Sequence, residues 1–185
     1  RSSLPTIELL LQKSAKIILI SHLGRPDGKI VEELRLNKIA EKLEKILKKP
    51  IKKLDESIGE NVQEYVEKME EGEIVLLENI RFHAEEEKND PRFVQQLAAL
   101  GDIFVNDGFG VSHRAHASSY GIGMLLPAYA GLLMEKEINA LSALMENPEK
   151  PFTLILGGAK IKDKLGILKK FIQKADYCLI GGGIA

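Results

Sequence analysis

The chain has 185 residues, 44% of them hydrophobic and 29% charged, enough to bury a sizeable core in one domain or one domain plus part of another. Its net charge of -1 excludes a general nucleic-acid or membrane-surface binder, which needs a basic excess, so any basic site is local. The single cysteine, Cys178, allows no internal disulfide and fits a reducing, cytoplasmic setting; no apolar run reaches membrane-spanning length.

Leu4, Ile7, Leu10 and Leu11 recur at helical spacing, with Pro5 in the first turn where proline is tolerated. Lys16 to Ile20 is a continuous apolar run of strand length, as expected in a parallel sheet covered on both faces. Ser21 to Gly28 is a loop by its glycine and proline content. Leu36, Ile39, Ala40, Leu43, Ile46 and Leu47 make an amphipathic helix ended by Pro50, and Pro50 to Leu54 reads as a short strand. Ile58 to Met69 is again helical in spacing, ended by Gly72. Glu73 to Glu78 is the next strand, with Asn79 to His83 as its loop. Asp90 and Pro91 open a helix through Leu100, aspartate as N-cap and proline in the first turn. Ile103-Phe104-Val105 reads as a short buried strand, and the glycine-rich turn after it carries His113, Arg114 and His116. A long helix is predicted from about Gly131 to Met145, then a linker, Asn147 to Pro151. A strand from Phe152 to Leu156, the turn Gly157-Gly158-Ala159-Lys160, a helix over 162–174 and a strand from Asp176 to Ile180 complete the pattern.

Strands alternating with helices imply right-handed crossovers and a parallel sheet. The expected fold is α/β: a Rossmann-like three-layer parallel sheet with helices on both faces, followed by the beginning of a second α/β domain. The proline linker marks the domain boundary, giving 1–147 and 148–185. The chain does not begin with Met and ends at Ala185, just past a strand, so a fragment of a longer protein is expected.

All four histidines, His22, His83, His113 and His116, fall in loops that follow predicted strands, as do Arg25, Arg81 and Arg114. A parallel sheet brings the carboxyl ends of its strands to one edge, where α/β proteins bind ligands. Guanidinium groups match carboxylate and phosphate. Gathering three of them costs on the order of 1 to 4 kcal/mol per close pair unless an anion fills the space. One such arginine alone would be read as a local salt bridge, for instance Arg81 with Glu85; three placed alike point to an anion site. His83 reads as an ordinary loop residue. Metal ligation by His113 and His116 is disfavoured by Arg114 between them. In the second part, Gly157-Gly158-Ala159-Lys160 is not a P-loop, and glycines alone make a tight turn; Lys162 and Lys164 at a helix start run against the helix dipole and point to phosphate.

Four motifs together resemble the phosphoglycerate kinase family: Ser21-His22-Leu23-Gly24-Arg25-Pro26; Leu77-Glu78-Asn79-Ile80-Arg81-Phe82; Val105-Asn106-Asp107-Gly108-Phe109-Gly110 with His113 to Ser118; and Gly157 to Lys164. The resemblance covers the whole chain. It implies two Rossmann-like domains joined by a long helix, one for 3-phosphoglycerate or 1,3-bisphosphoglycerate and one for ADP or ATP with Mg²⁺. It assigns His22, Leu23, Gly24, Arg25, Arg81 and Arg114 to the glycerate substrate, with His113 and His116 in the basic patch beside them. Lys160 corresponds to a lysine of phosphoryl transfer, Lys164 to a contact with nucleotide phosphates, and Gly158, Ala159, Gly181, Gly182 and Gly183 to the nucleotide pocket wall. No metal ligand is expected within this chain. The family's opening strand would precede Arg1, so the first sheet would lack a central strand, and most of the nucleotide domain would follow Ala185. Gly108 departs from the alanine usual in the family. The implied reaction is glycolytic phosphoryl transfer by a monomer that closes by hinge bending, with no turnover from this fragment alone. A non-catalytic phospho-ligand binding module is the alternative reading.

Overall fold

The computed structural model describes residues 1–158 and 161–184, and for 161–164 and 184 the backbone only. By its internal contacts the chain divides into two units, Arg1–Glu135 and Lys136–Ala185.

In the first unit, helix α1 (Leu4–Gln12) leads to strand β1 (Ile17–Leu19), helix α2 (Asn37–Leu47), strand β2 (Lys52–Lys53), helix α3 (Glu60–Glu67) and strand β3 (Ile74–Leu76). Helices α4 (Ala84–Lys88) and α5 (Pro91–Ala98), strands β4 (Phe104–Asn106) and β5 (Ala128–Ala130), and the start of helix α6 (Leu132–Glu146) follow. The order β1-β3-β2 is parallel throughout, in the register Ile17 to Ile74 and Lys52 to Val75. Strands β4 and β5 pair in parallel as a separate sheet, Phe104 beside Ala128. The two sheets share a core: Ile18, Ile20 and Phe104 all pack against a buried cluster built on Leu77, Ile80, Phe93, Val94 and Leu97. On the other side, Ile7 of α1 meets Ile17 and Ile74. Helices thus lie on both faces of parallel strands, the α/β class expected.

The local reasons hold where the sequence signals were strong. Asp90 caps α5 through its carboxylate, which accepts from the N–H groups of Arg92 and Phe93, and Pro91 occupies the first turn. Helix α2 stops at Lys48, which turns left-handed at φ 53° before Pro50. Two differences are physical. The strand expected at 103–105 runs one residue later and is half-buried, with Ile103 60% exposed. Among the described residues it pairs with β5. Strand β5 and the short α4 carry no long apolar run or helical stripe, and neither was expected from the sequence.

The second unit contains the rest of α6, strand β6 (Thr153–Leu156), helix α7 (Ile161–Phe171) and strand β7 (Tyr177–Ile180). Strands β6 and β7 pair in parallel, Thr153 beside Tyr177. Leu154 and Leu156 are buried whereas β7 is exposed, Cys178 included. Asp176 fastens the entry to β6, accepting from the N–H of Phe152 at 2.6 Å and from Lys150 Nζ at 2.9 Å. No described helix is long and apolar enough to cross a membrane.

Candidate active site

Strand β3 is wholly buried, and the chain stays buried from Leu77 to Phe82. This places a polar turn inside the protein, where each polar group needs a partner. Glu78, 2% exposed, accepts from Arg35 Nη1 at 2.9 Å, Lys53 Nζ at 2.5 Å and the N–H groups of Leu36 and Asn79 at 3.0 and 2.8 Å. Burial alone would raise the carboxyl's pKa, but the bonds from Lys53, Asn79, Leu36 and Arg35 outweigh it and hold the group below the ordinary carboxylate range. Glu78 is therefore a buried anion that knits β2, β3 and the start of α2 together.

Arg81 follows three residues later, 7% exposed. Its Nη1 donates to the carbonyl of Gly24 at 3.0 Å and its Nε lies 3.4 Å from Glu87. Its own carbonyl accepts from the N–H of Gly28 at 3.3 Å. The local counter-ion is thus Glu87 rather than Glu85, and the guanidinium also latches the turn that holds His22, Leu23, Gly24 and Arg25. That turn needs glycine: Gly24 has φ +67°, and a Cβ there would lie 2.9 Å from Leu34 Cδ2.

The turn after β4 is more open. Gly108, Gly110 and His113 are exposed, Arg114 is half-buried and His116 is buried. The chain re-enters the core at Ala117, secured by Glu86 of α4. That carboxylate, 2% exposed, accepts from Ser118 N–H at 2.9 Å and Ser118 Oγ at 2.6 Å, and lies 3.8 Å from His116 Nδ1. At the turn's start, Asp107 accepts from the N–H groups of Leu133 and Met134 with one oxygen, capping α6.

His22 reports on the space between these turns. Its pKa is lowered first by burial, then by the positive charges of Arg81, His116 and Arg114, with Glu87 opposing. The turns after β3 and β4 therefore place Arg81, Arg114 and His116 within electrostatic reach of His22 on the turn after β1. Arg25 and His113 are exposed, and no contact among the described residues draws either into the cluster. Arg25 and Arg114 make no ion pair with a described residue, so their guanidinium groups are available to a ligand. His83 stands apart, packed on Phe93 with ring centres 5.0 Å apart, its pKa lowered by that burial. Among the described residues, no three His, Cys, Asp or Glu side chains group as a metal site.

In the second unit the glycine turns after β6 and β7 adjoin. A Cβ on Gly182 would lie 3.1 Å from the Gly158 nitrogen, and one on Gly157 would lie 3.7 Å from the Gly181 carbonyl oxygen. Gly158 itself has φ +127°. With φ +69° at Gly182 as well, glycine is required at these two positions at the carboxyl ends of the strands. Ala159 and Lys160 lie outside the described residues, as does the side chain of Lys164.

Sequence reasoning passed over Glu86 and gave no role to Glu78 and Asn79. Two acidic residues buried beside cations are hard to read from a string, because Glu86 sits in a run of glutamates that looks solvated. For Asn79 the signal was its place between a buried strand and an arginine.

Parallel strands with helices on both faces, whose carboxyl-end turns carry His22, Arg81 and Arg114, define an α/β protein with its candidate site at those turns. The phosphoglycerate kinase family model matches residues 1–185, and the chain belongs to that family. It is 32% identical to a crystal structure of phosphoglycerate kinase from Pyrococcus horikoshii OT3, with a TM-score of 0.86, covering 99% of this chain and 47% of that one. It is 36% identical to the structure of phosphoglycerate kinase from Coxiella burnetii, with a TM-score of 0.82, covering 98% of this chain and 45% of that one. The chain thus spans just under half the length of these two structures.

Proposed function

We propose that the polypeptide carrying these 185 residues is a phosphoglycerate kinase, moving a phosphoryl group between 1,3-bisphosphoglycerate and ADP to give 3-phosphoglycerate and ATP. The observation that carries this reading is the placement of His22, Arg81, Arg114 and His116 on the turns that follow β1, β3 and β4, with the three cationic groups all acting on the His22 imidazole. Three turns hold cations together at a cost, and a small multiply charged acid is the ligand that relieves it. In this reading Arg25, Arg81 and Arg114, with His22, Leu23 and Gly24, hold the glycerate. His113 and His116 extend the basic patch. Lys160 follows the transferred phosphoryl group and Lys164 the nucleotide phosphates, beside Gly158, Ala159 and Gly181 to Gly183.

The chemistry is in-line transfer without a covalent enzyme intermediate, so positioning and charge neutralisation supply the catalysis. Closure of the first domain, 1–147, on the second brings the sites together and expels water, with α6 and the proline linker as hinge. Mg²⁺ accompanies the nucleotide; the cationic donors of the described cup do not fit a metal, and no step here runs through one. The protein acts as a cytoplasmic monomer, and residues 1–185 alone bind glycerate ligand weakly without turnover.

The test is ATP-dependent turnover of 3-phosphoglycerate by the natural polypeptide. Its absence, with 3-phosphoglycerate still bound tightly by residues 1–185, would favour a binding module instead.

A further inference from the structure

The Asn79 side chain bonds both to the His22–Arg25 turn and to the Arg81 main chain, and nothing in the proposed chemistry uses it directly. It is fully buried. One amide nitrogen donates to the carbonyls of Leu23 and Leu34, both at 2.9 Å, and the amide oxygen accepts from the N–H of Arg81 at 3.2 Å. Its own N–H donates to Glu78 Oε1 at 2.8 Å, so the charged cluster fixes the main chain from which the amide projects. The neighbouring bonds follow the same line: Ile80 N–H donates to Ser21 O at 3.1 Å and Arg81 Nη1 to Gly24 O at 3.0 Å.

We propose that Asn79 is a positioning residue for the glycerate end of the reaction: its amide sets the spacing between the His22–Arg25 turn and Arg81. This rests on the function proposed above. The chemistry selects the residue type. Two carbonyls need two donor hydrogens and the Arg81 N–H needs an acceptor, and a carboxamide supplies both at one carbon. Asp at this position would turn an oxygen toward the Leu23 and Leu34 carbonyls and push the turn away. Gln adds a methylene where no space is exposed. A shift of about 1 Å in a positioning element can cost on the order of 100-fold in rate, so the effect falls on substrate use beyond stability.

The experiment compares Asn79→Asp and Asn79→Ala in the natural polypeptide with Ser57→Ala. Ser57 is also fully buried, and its Oγ donates to Glu78 O at 2.8 Å, at the base of the turn, with no side-chain bond to Asn79, to Arg81 or to the His22–Arg25 turn. KM is measured separately for 3-phosphoglycerate and for ATP. Both Asn79 variants are expected to raise KM for 3-phosphoglycerate by about tenfold or more, in line with misplacement of a binding group, and to leave KM for ATP unchanged. Ser57→Ala lowers the unfolding midpoint and leaves both KM values alone, because a smaller folded fraction lowers kcat only. If Asn79→Asp does not fold, Asn79→Ala carries the comparison. Asn79→Ser serves as a milder variant, keeping a hydroxyl where the amide was, and is expected to raise KM less than Ala. An unshifted KM for 3-phosphoglycerate in the folded variants, with normal turnover by the parent, overturns the role of Asn79 alone. An inactive parent overturns the functional reading instead.

Discussion

The turns after β3 and β4 each present an arginine at the carboxyl end of a parallel strand, yet they are built in opposite ways. From Leu77 to Phe82 every residue is buried, and Arg81 is held by Gly24, Glu87 and a bond from Gly28 to its carbonyl. From Gly108 to Ala115 most residues are exposed, and Arg114 has no described side-chain partner. A rigid turn can set geometry, while a looser one can adapt to the ligand. The comparison teaches that one residue type at one topological position can be both scaffold and ligand, or ligand alone, depending on the burial of the strand before it.

The largest expected effect is at the base of the rigid turn. Glu78→Ala takes the buried acceptor from Lys53, Arg35 and the N–H groups of Leu36 and Asn79, leaving the two cations only their outer partners Glu32 and Asp55, and should cost about 3 kcal/mol of stability by chemical denaturation. The folded pKa of Glu78 lies below its unfolded value. Its contribution is therefore present above the unfolded pKa and lost as pH falls through the folded one, so wild type should weaken in acid more than the variant does. Equal acid sensitivity would show that the cluster contributes nothing.

Next come the two arginines. Arg81→Ala should lower stability by about 2 kcal/mol as well as weaken 3-phosphoglycerate binding, because its guanidinium bonds are structural. Arg114→Ala should cost about 1.5 to 3 kcal/mol of binding with stability within about 0.5 kcal/mol of wild type. Denaturation and calorimetry on both variants separate these outcomes, and identical profiles would erase the contrast between the turns. The smallest effect tests the looseness of the second turn. Gly108 has φ -103°, and an added Cβ would sit 3.2 Å from Val111 Cγ2. Gly108→Ala should thus stay within about 0.5 kcal/mol in stability; a loss several times larger would mean the turn is as constrained as its neighbour.

Much of this was legible in the sequence because it depends on short-range chemistry. The apolar run at Ile17–Leu19, the stripe of α2 and the Asp90-Pro91 start announce themselves within a few residues. That His22 and Arg81 share an edge follows from the parallel pairing of β1 and β3; Arg114 follows β4, which lies in a separate sheet, so its place near them rests on how the two sheets pack. What stayed hidden depends on distant partners. Glu86 is known to be buried only once Ser118 reaches it, and Arg81 becomes a latch only once Gly24 offers its carbonyl. Strand β5 forms because β4 lies beside it, and its own residues carry no strand signature.

The central claim is that cations from separate turns converge on one small acid, and His22 is the probe nearest to that claim. In the ligand-free protein its pKa lies below the ordinary histidine value, through burial and then the charges of Arg81, His116 and Arg114. The folded state therefore binds fewer protons than the unfolded one, and this group's contribution to stability falls as pH drops through the ordinary histidine range. A bound anion offsets those charges. An NMR titration of the His22 imidazole with and without saturating 3-phosphoglycerate should show the pKa rise on binding; a value unmoved by ligand would contradict the account.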